Sequence, residues 1–438
     1  MNREPLTMFC YVDISGQVRG KGFPTRLLEK RLATGVGWTP TNIMFTPMGT
    51  IAPSPFGPFG DLILKPDRKA EANVDFGDDA PKEHFFLCDV LATDGTPWDC
   101  CPRTLLRRAA DDLKSEAGVT LRIAFEHEFF YSGARGRMGD LYALDAVRRH
   151  GAFGEILLAA LAQCGIEPDS YLAEFGEGQF EVTLPPAEPL AACDQAVMLR
   201  EMTRSTAWRL GHTVSFSPRI SPTAIGNGLH IHMSLWDEAG RPISHDPKGP
   251  HGVSATAGKF LAGVLKSMPA LCAFTAPTPV SYLRLVPHMW SAAWSSLGYR
   301  DREAGIRICP TFDTFQSSTA EQFNFEYRAA DASACPYIQV AAIMRAGLAG
   351  LKESLPTPEP LVEQDPGAFT YAERQRRGIV RLPDTLGAAL DALETDATVK
   401  GFVPPLFLKA YLANKRAELA LSQDWTPEQI CSRYAEVF

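Results

Sequence analysis

Residues 125–129 have the sequence Phe125-Glu126-His127-Glu128-Phe129, in which apolar and polar positions alternate around the histidine. Side chains alternate between the two faces of a β-strand, so this pattern predicts a strand with Glu126 and Glu128 on one face. Two neighbouring carboxylates repel each other by about 1 kcal/mol in water and by several times that inside a protein. The pair therefore indicates either a solvated strand edge or a site where cations neutralise both charges.

Three further segments have the same design, with one apolar face and one polar face. Their polar faces consist of Gln179, Glu181 and Thr183; of His230, His232 and Ser234; and of Asn324, Glu326 and Arg328. Any one of these could be an antiparallel strand that faces solvent. Solvated faces usually carry Lys, Thr and Ser, whereas these carry mostly Glu, His, Gln and Arg beside glycine-rich turns. The pattern favours a polar-lined funnel over a wet surface.

Glutamates combined with one or two histidines form an oxygen-dominated ligand set. Such a set suits Mg²⁺ or Mn²⁺, whereas structural zinc uses cysteine. Clustered divalent ions with arginines nearby are typical of phosphoryl transfer. Arg302 and Arg307 would supply the arginines, although they could equally be surface residues paired with Asp301 and Glu303.

The composition is that of a globular protein with two or three domains, since 438 residues are 45% hydrophobic and 21% charged. A net charge of -8 without a basic run argues against a nucleic-acid partner. We find no apolar run of membrane-spanning length, and the ten scattered cysteines form no CxxC pair. These features predict a cytoplasmic protein without a membrane partner. Neither a Rossmann nor a P-loop glycine motif is present.

The chain order predicts a small, mostly β domain at residues 1–101, followed by a larger domain of interleaved strands and helices at residues 102–438. In the first domain, strands are expected near residues 8–14, 18–21, 61–67 and 84–92, with a helix at 26–34. In the second, helices are expected at 103–117, 153–164, 191–211, 255–267, 338–353 and 406–421. The last polar-faced strand is expected at 321–328.

Six motifs follow one another along the chain: Glu126-x-Glu128; Glu174 with Gly178-Gln179-x-Glu181; Gly226-Asn227-Gly228-Leu229-His230-x-His232-x-Ser234; Ser281-Tyr282-x-Arg284-Leu285-x-Pro287; Arg302 with Arg307; and Glu326-x-Arg328. In order and spacing they resemble the glutamine synthetase family, over most of the chain. The resemblance extends to a hairpin within residues 12–21 and to Lys415-Arg416-x-Glu418.

The resemblance implies an α+β fold, with an N-terminal β-grasp domain followed by a catalytic domain in which an antiparallel sheet forms a funnel. It implies a homo-oligomer, expected as a dodecamer of two stacked hexameric rings. Each active site would be completed by the N-terminal domain of a neighbouring subunit.

The resemblance also implies two or three Mg²⁺ or Mn²⁺ ions per site, with ATP and glutamate as substrates. By residue, Glu128, Glu174 and Glu181 would hold a metal near the acceptor, and Glu181 would also take part in catalysis. Glu126, His230 and Glu326 would hold a metal at the ATP phosphates. Arg284, Arg328 and the Gly226 backbone would bind glutamate. Arg302 and Arg307 would act on the transferred phosphoryl group, and His232, Ser234 and Arg307 would contact the nucleotide.

The chain differs from the family at the positions that bind ammonium and accept its proton. Ammonia-using members carry a glutamate six residues after the motif arginine, where this chain has Trp290. They also take an aspartate from the neighbouring N-terminal domain, and the comparable residues 38–47 contain no acid. Ile225 and Asn324 stand where asparagine and arginine are common.

An indole provides neither negative charge nor a base, but it offers an apolar wall or a stacking face. We therefore expect an ATP-dependent ligase that joins the γ-carboxylate of glutamate to an organic amine, which would be a polyamine, alkylamine, ethanolamine or arylamine. A weakly basic arylamine tolerates a missing base best, although Glu177 or Asp301 could take the proton. The alternatives are an ammonia-using glutamine synthetase, an inactive family member with a structural or regulatory role, and a ligase for another acid.

Overall fold

The computed structural model describes residues 3–134, 136–137, 139–314 and 316–438. Near the N-terminus, five strands form a sheet: β1 (Leu6–Val12), β2 (Val18–Pro24), β3 (Val36–Trp38), β4 (Leu62–Val74) and β5 (Glu83–Ala92). Their order is β2-β1-β5-β4-β3, and β1 runs parallel to β5 while the other pairs are antiparallel. Helix α1 (Leu28–Thr34) lies between β2 and β3 in the chain. This small mixed sheet agrees with the predicted α+β fold.

A second sheet of eight strands forms the larger part of the molecule. Its members are β6 (Val119–Tyr131), β7 (Ser170–Ala173), β8 (Gln179–Thr183), β9 (Val214–Ser215), β10 (Leu229–Asp237), β11 (Trp294–Tyr299), β12 (Ala304–Ile308) and β13 (Phe325–Tyr327). The order is β11-β12-β13-β10-β6-β8-β7, and β9 pairs with β6. The sheet is antiparallel as expected except for β11 and β12, which run parallel. In that pair, Trp294 lies opposite Ala304 and Tyr299 lies opposite Ile308.

Helices cover the apolar face of the second sheet, where α2 and α5 pack against β6 and α6 packs against β11. The helices after α1 are α2 (Pro102–Ala117), α3 (Leu144–Arg149), α4 (Gly151–Gln163), α5 (Pro189–Arg209), α6 (Ala255–Thr275), α7 (Thr319–Gln322), α8 (Pro336–Lys352), α9 (Tyr371–Arg377), α10 (Leu386–Thr395), α11 (Ala397–Lys400), α12 (Pro405–Ser422) and α13 (Pro427–Val437). Apolar side chains from both sheets and most of these helices form one large core, and Val280, Cys431, Tyr434 and Phe438 form a second, smaller cluster at α13.

Three predictions about local structure were wrong. The strand expected near 61–67 continues to Val74 as β4. The strand expected at 321–328 is only β13, because Ser318 and Glu321 form a capping box that begins helix α7 instead. The helix expected at 255–267 continues through Pro269 to Thr275. At this length α6 is apolar and long enough to cross a membrane, which was not expected from the sequence. However, 83% of its 18-residue apolar stretch is buried inside the protein. It is packed as a core helix.

Arg103 connects the two sheets through a buried group of ion pairs. Its guanidinium, at the start of α2 and only 2% exposed, contacts Asp67 on β4 at 3.0 Å and Asp89 on β5 at 3.0 Å. It also binds Asp194 on α5 through two hydrogen bonds of 3.1 and 2.7 Å. Three carboxylates around one buried cation fix how the first sheet sits on the helices of the second.

Candidate active site

The register of the second sheet brings the polar faces of four strands together. Residue exposure alternates along the strand residues 119–129, with the even-numbered positions, Glu126 and Glu128 included, less buried than their neighbours, as predicted. Across the ladders, Glu126 lies opposite His230 and Glu128 opposite Glu181. Glu326 lies opposite both His232 and Arg307. Residues distant in sequence thereby become direct neighbours.

His230 lies at the centre of the resulting carboxylate cluster. Its Nδ1 is 3.2 Å from Glu126 and 3.5 Å from Glu326, and its Nε2 is 3.9 Å from Glu128. One ligand atom each of Glu126, Glu181 and His230 lie within 4.8 Å of one another. Oxygen ligands with one imidazole at such spacing suit a divalent ion of the Mg²⁺ or Mn²⁺ type.

The electrostatics of the cluster show an excess of negative charge. Burial, followed by the charges of Glu126, Glu128, Glu174 and Glu326, raises the pKa of Glu181 to about 9. Burial and the charge of Glu128 also raise the pKa of Glu174. Carboxylates that are driven to hold a proton are relieved when a cation binds among them, so the donor set fits one or more divalent ions.

Three arginines lie next to this carboxylate cluster and make that part of the site positively charged. Arg307 donates to Glu326 at 2.9 Å, and Arg328 donates to the other oxygen of the same carboxylate. Arg284 donates to the backbone carbonyls of Arg328, at 3.2 Å, and Ala330. The Nε atoms of all three arginines are buried and have no hydrogen-bond partner in the part of the chain that the structure describes. Three guanidinium groups on one side of the site suit an anionic substrate.

Two glycines allow the residues 226–228 to approach the cluster closely. A Cβ on Gly226 would lie 2.6 Å from Cγ of Arg284, and a Cβ on Gly228 would lie 2.7 Å from Nε2 of His230. The Gly228 N–H donates to Glu128 at 2.8 Å. No larger residue fits at either position without moving a site residue.

Gln179 forms hydrogen bonds with several residues in this part of the site, although no site role was predicted for it from the sequence. Its amide nitrogen donates to Glu128 at 3.2 Å, to the Gly226 carbonyl at 3.0 Å and to Asn227 at 2.8 Å. Gln179 therefore connects strands β6 and β8 to the glycine turn. Its place on the polar face of β8 was the signal that could have found it.

His232 and Ser234 lie next to the cluster on β10. His232 Nε2 is 3.1 Å from Glu126, and its Nδ1 is 2.9 Å from Asn324. Ser234 accepts a hydrogen bond from the Trp236 indole at 2.9 Å. His232 therefore contacts Glu126 of the carboxylate cluster, whereas Ser234 lies further along the strand.

Two contacts of the site had no sequence signal. The Sγ atom of Cys309 lies 3.6 Å from Nδ1 of His232, and the cysteine stands in no chelating spacing. The hydroxyl of Tyr142 donates to Glu174 at 3.1 Å, and the tyrosine lies outside every motif. Glu174 itself reaches the site from the residue after β7.

Trp290 and Arg302 lie apart from the buried cluster, in a cavity of about 520 Å³. The indole of Trp290 is 65% exposed, and the residue has a left-handed backbone with φ of 52°. The backbone carbonyl of Trp290 accepts a hydrogen bond of 3.1 Å from Arg328. The cavity is lined by His288, Trp290, Ala293, Trp294, Tyr299, Arg300, Asp301, Arg302, Glu303, Glu363, Gln364, Asp365 and Pro366.

Comparison with known families gives two matches that together span nearly the whole chain. Residues 2–98 match the glutamine synthetase N-terminal domain, and residues 99–434 match the glutamine synthetase catalytic domain.

The individual relatives include a γ-glutamylpolyamine synthetase and several glutamine synthetases. A γ-glutamylpolyamine synthetase, GlnA3, of Streptomyces coelicolor is 33% identical over 98% of this chain and 92% of its own. A glutamine synthetase of Thermococcus kodakarensis is 31% identical over 91% of this chain and 86% of its own.

Two solved structures show the same fold. A crystal structure described as a novel glutamine synthase homolog is 40% identical and covers 100% of this chain and 99% of its own, with a TM-score of 0.92. A ligand-free structure of GmaS is 25% identical over 97% of this chain and 94% of its own, with a TM-score of 0.81.

Proposed function

The chain belongs to the glutamine synthetase family of ATP-dependent ligases, and we propose that it joins the γ-carboxylate of glutamate to an organic amine through a γ-glutamyl phosphate. The observation that carries the choice of amine is Trp290, whose exposed indole lines the 520 Å³ cavity beside the buried cluster. Ammonium needs a negative charge to bind and a base to release its proton. An indole supplies neither, but it supplies a wall for an organic substituent.

The glutamate would bind where the arginines converge. Arg284, Arg328 and the backbone of Gly226 are the groups that we assign to its carboxylates. The two guanidinium groups lie side by side and are nearly buried, with Arg284 5% and Arg328 3% exposed, which supports this assignment, since a buried guanidinium gains most from a carboxylate acceptor. The close approach of Gly226 to Arg284 leaves room only for a backbone at this position.

We assign two or three Mg²⁺ or Mn²⁺ ions to the carboxylate cluster. Glu128, Glu174 and Glu181 would hold the ion near the acceptor, and Glu126, His230 and Glu326 the ion near the ATP phosphates. The raised pKa of Glu181, caused by burial and by its neighbours, supports a cation at this point. When bound, such ions neutralise phosphate charge during the transfer.

The reaction would proceed in two steps. The γ-carboxylate of glutamate attacks the γ-phosphorus of ATP, which forms an acyl phosphate and releases ADP. The neutral amine then attacks the acyl carbon, the bond to phosphate breaks, and the amine proton passes to a base. Arg302 and Arg307 would stabilise charge on the transferred phosphoryl group, and Glu181 would assist at the acceptor side. His232, Ser234 and Arg307 would contact the nucleotide.

The amine must lose its proton near Trp290. An alkylamine has a pKa near 10.4 and arrives protonated, whereas an arylamine is neutral at pH 7. Asp301 lines the cavity with Trp290, which supports it as a proton acceptor for the more basic amines. Glu177 is the other candidate. The printed name of the Streptomyces coelicolor relative supports an organic acceptor.

Phosphate release with ATP and glutamate tests this proposal. The acceptor panel would contain ammonia, methylamine, ethanolamine, putrescine, spermidine, benzylamine and aniline, each over a full concentration range. We expect at least one organic amine to have a kcat/KM well above that of ammonia. A higher kcat/KM for ammonia than for every organic amine would make the protein an ammonia-using glutamine synthetase. No glutamate-dependent ATP turnover with any acceptor would favour an inactive family member.

We also propose that the protein is cytoplasmic and forms a ring-built homo-oligomer, expected as a dodecamer of two stacked hexameric rings. Its ten cysteines are all unpaired, which suits a reducing compartment. Each active site would then be completed by the N-terminal domain of a neighbouring subunit. Light scattering coupled to gel filtration measures the subunit number directly.

A further inference from the structure

Glu303 holds the loop that carries Trp290. It lies in the connection between β11 and β12, and its two carboxylate oxygens accept hydrogen bonds from the backbone of that loop. Oε2 accepts from the His288 N–H at 3.1 Å, and Oε1 accepts from the Trp290 N–H at 3.2 Å. One side chain therefore fixes two backbone positions separated by one residue.

Both backbone positions are strained. His288 has a φ of 61° and Trp290 a φ of 52°, which is the left-handed region that residues with a Cβ avoid. Such a conformation costs roughly 1–3 kcal/mol per residue and persists only where its surroundings hold it. Arg328 also binds this backbone, because it donates a hydrogen bond to the Trp290 carbonyl. Glu303 therefore binds the backbone N–H of Trp290, and Arg328 binds its backbone carbonyl.

We propose that Glu303 is the positioning residue that selects the organic amine, because it fixes the Trp290 indole as a wall of the acceptor cavity. The inference rests on the proposed function and adds the residue that controls the acceptor preference. Both oxygens of Glu303 are used by the loop, so its role is to hold backbone. Among the carboxylates that line the cavity, Asp301 and Asp365 accept from the N–H groups of Glu303 and Gly367, outside this loop, and Asp365 also lies 3.8 Å from the His288 imidazole.

Loss of Glu303 would release the strained loop toward ordinary backbone angles and move the indole away from the cavity. An organic amine would then lose its apolar wall. Ammonia needs no wall, and glutamate is bound elsewhere, so neither depends on the indole. The acceptor preference would change without a matching change in glutamate binding.

The kinetic test uses two variants of Glu303 and one matched control. We expect Glu303→Ala to raise KM for the best organic amine about tenfold, which corresponds to about 1.4 kcal/mol, while KM for glutamate stays within about twofold. Glu303→Gln keeps one accepting oxygen and should give an intermediate value. Glu353→Ala breaks an exposed ion pair with Lys266, away from the cavity lining, and should leave both constants unchanged. Equal increases for amine and glutamate in Glu303→Ala would overturn the inference.

A rescue variant separates loop geometry from loss of charge. Glycine adopts a left-handed backbone without steric cost. We therefore expect His288→Gly, added to Glu303→Ala, to restore part of the lost amine affinity. A double variant no better than Glu303→Ala would count against the strain argument.

A measurement without substrate separates this inference from the proposed function. Trp290 fluorescence is obtained as the difference between the protein and its Trp290→Phe variant, in the presence and absence of Glu303→Ala. We expect Glu303→Ala to change the emission and acrylamide quenching of Trp290, with thermal unfolding of the whole protein nearly unchanged. Unchanged Trp290 emission and quenching would refute the positioning role, whichever amine is used. If the quenching changes and ammonia is still the best acceptor of the unaltered enzyme, the loop-holding role stands and the proposed function fails.

Discussion

Arg328 joins Trp290 to Glu326. Its Nη2 donates to the Trp290 carbonyl at 3.1 Å, and its Nη1 donates to the Glu326 carboxylate. Glu326 is 1% exposed and also accepts a hydrogen bond of 2.9 Å from Arg307. A single guanidinium therefore links the exposed loop at the cavity to the deepest carboxylate of the cluster.

Replacing Trp290 by glutamate tests the acceptor assignment. Trp290→Glu supplies the negative charge that ammonium needs, so we expect kcat/KM for ammonia to rise at least about tenfold and that for the best organic amine to fall. A charge pair near a protein surface is worth about 4 kcal/mol before desolvation, which leaves ample room for this effect. Steady-state kinetics with both acceptors measure it. Trp208→Glu, at an indole 64% exposed on α5, is the control, and an unchanged ammonia rate in Trp290→Glu would contradict the assignment.

Glu181 makes the stability of the metal-free protein depend on pH. Burial and four neighbouring carboxylates raise its pKa from an ordinary 4.5 to about 9. The folded state keeps this proton over a pH range where the unfolded chain has lost it. The free energy of unfolding should therefore fall as pH rises from about 4.5 toward about 9. Urea unfolding in EDTA at a series of pH values measures this slope.

Glu181→Gln should flatten that dependence, because an amide stays neutral at every pH. It should also reduce the increase in Tm that Mg²⁺ gives to the unaltered protein. Glu188→Gln is the matched control, since Glu188 is exposed and only pairs with Arg122 at 3.5 Å. The same pH slope in Glu181→Gln and in the unaltered protein would disprove the explanation.

Gly226 is expected to tolerate no side chain. A Cβ there would lie 2.6 Å from Cγ and 2.9 Å from Cδ of Arg284, so Gly226→Ala must displace that arginine. We expect KM for glutamate to rise about tenfold or more, with a loss of about 1–3 kcal/mol in stability from overpacking. Gly151→Ala is the control, because no atom lies within 4 Å of a Cβ at Gly151. Unchanged glutamate affinity in Gly226→Ala would exclude Arg284 from glutamate binding.

Arg103 should be among the most important side chains for stability. Arg103→Ala leaves the buried Asp194 without its cation, whereas Asp67 and Asp89 keep their ion pairs with Arg107. Removing one member of a buried ion pair costs about 3–5 kcal/mol. Arg68→Ala breaks an exposed pair with Glu29 and should cost less than about 1 kcal/mol. Similar unfolding midpoints in urea for the two variants would contradict this ranking.

Much of the site was predictable because its residues lie on strands. The alternation around Glu126 and Glu128 correctly predicted which side chains share a face, since that period is set by each strand alone. Local competition defeated the same reasoning at residues 321–328. There, the Ser318 and Glu321 capping box begins a helix, and the strand shortens to Phe325–Tyr327. The alternation of apolar and polar residues does not show that a neighbouring helix cap is the stronger local signal.

The pairings between strands were not predictable from any one segment. Nothing in the spacing of residues 125–129 shows that Glu128 will lie opposite Glu181, or that His230 will contact both Glu126 and Glu326. Register depends on the whole sheet and on the core beneath it. The contact between Cys309 and His232 has the same origin, because β12 and β10 meet only through β13.

The sequence by itself determined the residue types, the polar face of each strand and the family, because these follow from local periodicity and ordered motifs. Only the tertiary structure decided which carboxylates share a site, and with it the raised pKa of Glu181. It also brought Glu303 onto the backbone of the Trp290 loop. Burial and distance control both effects, and these quantities exist only after the chain has folded.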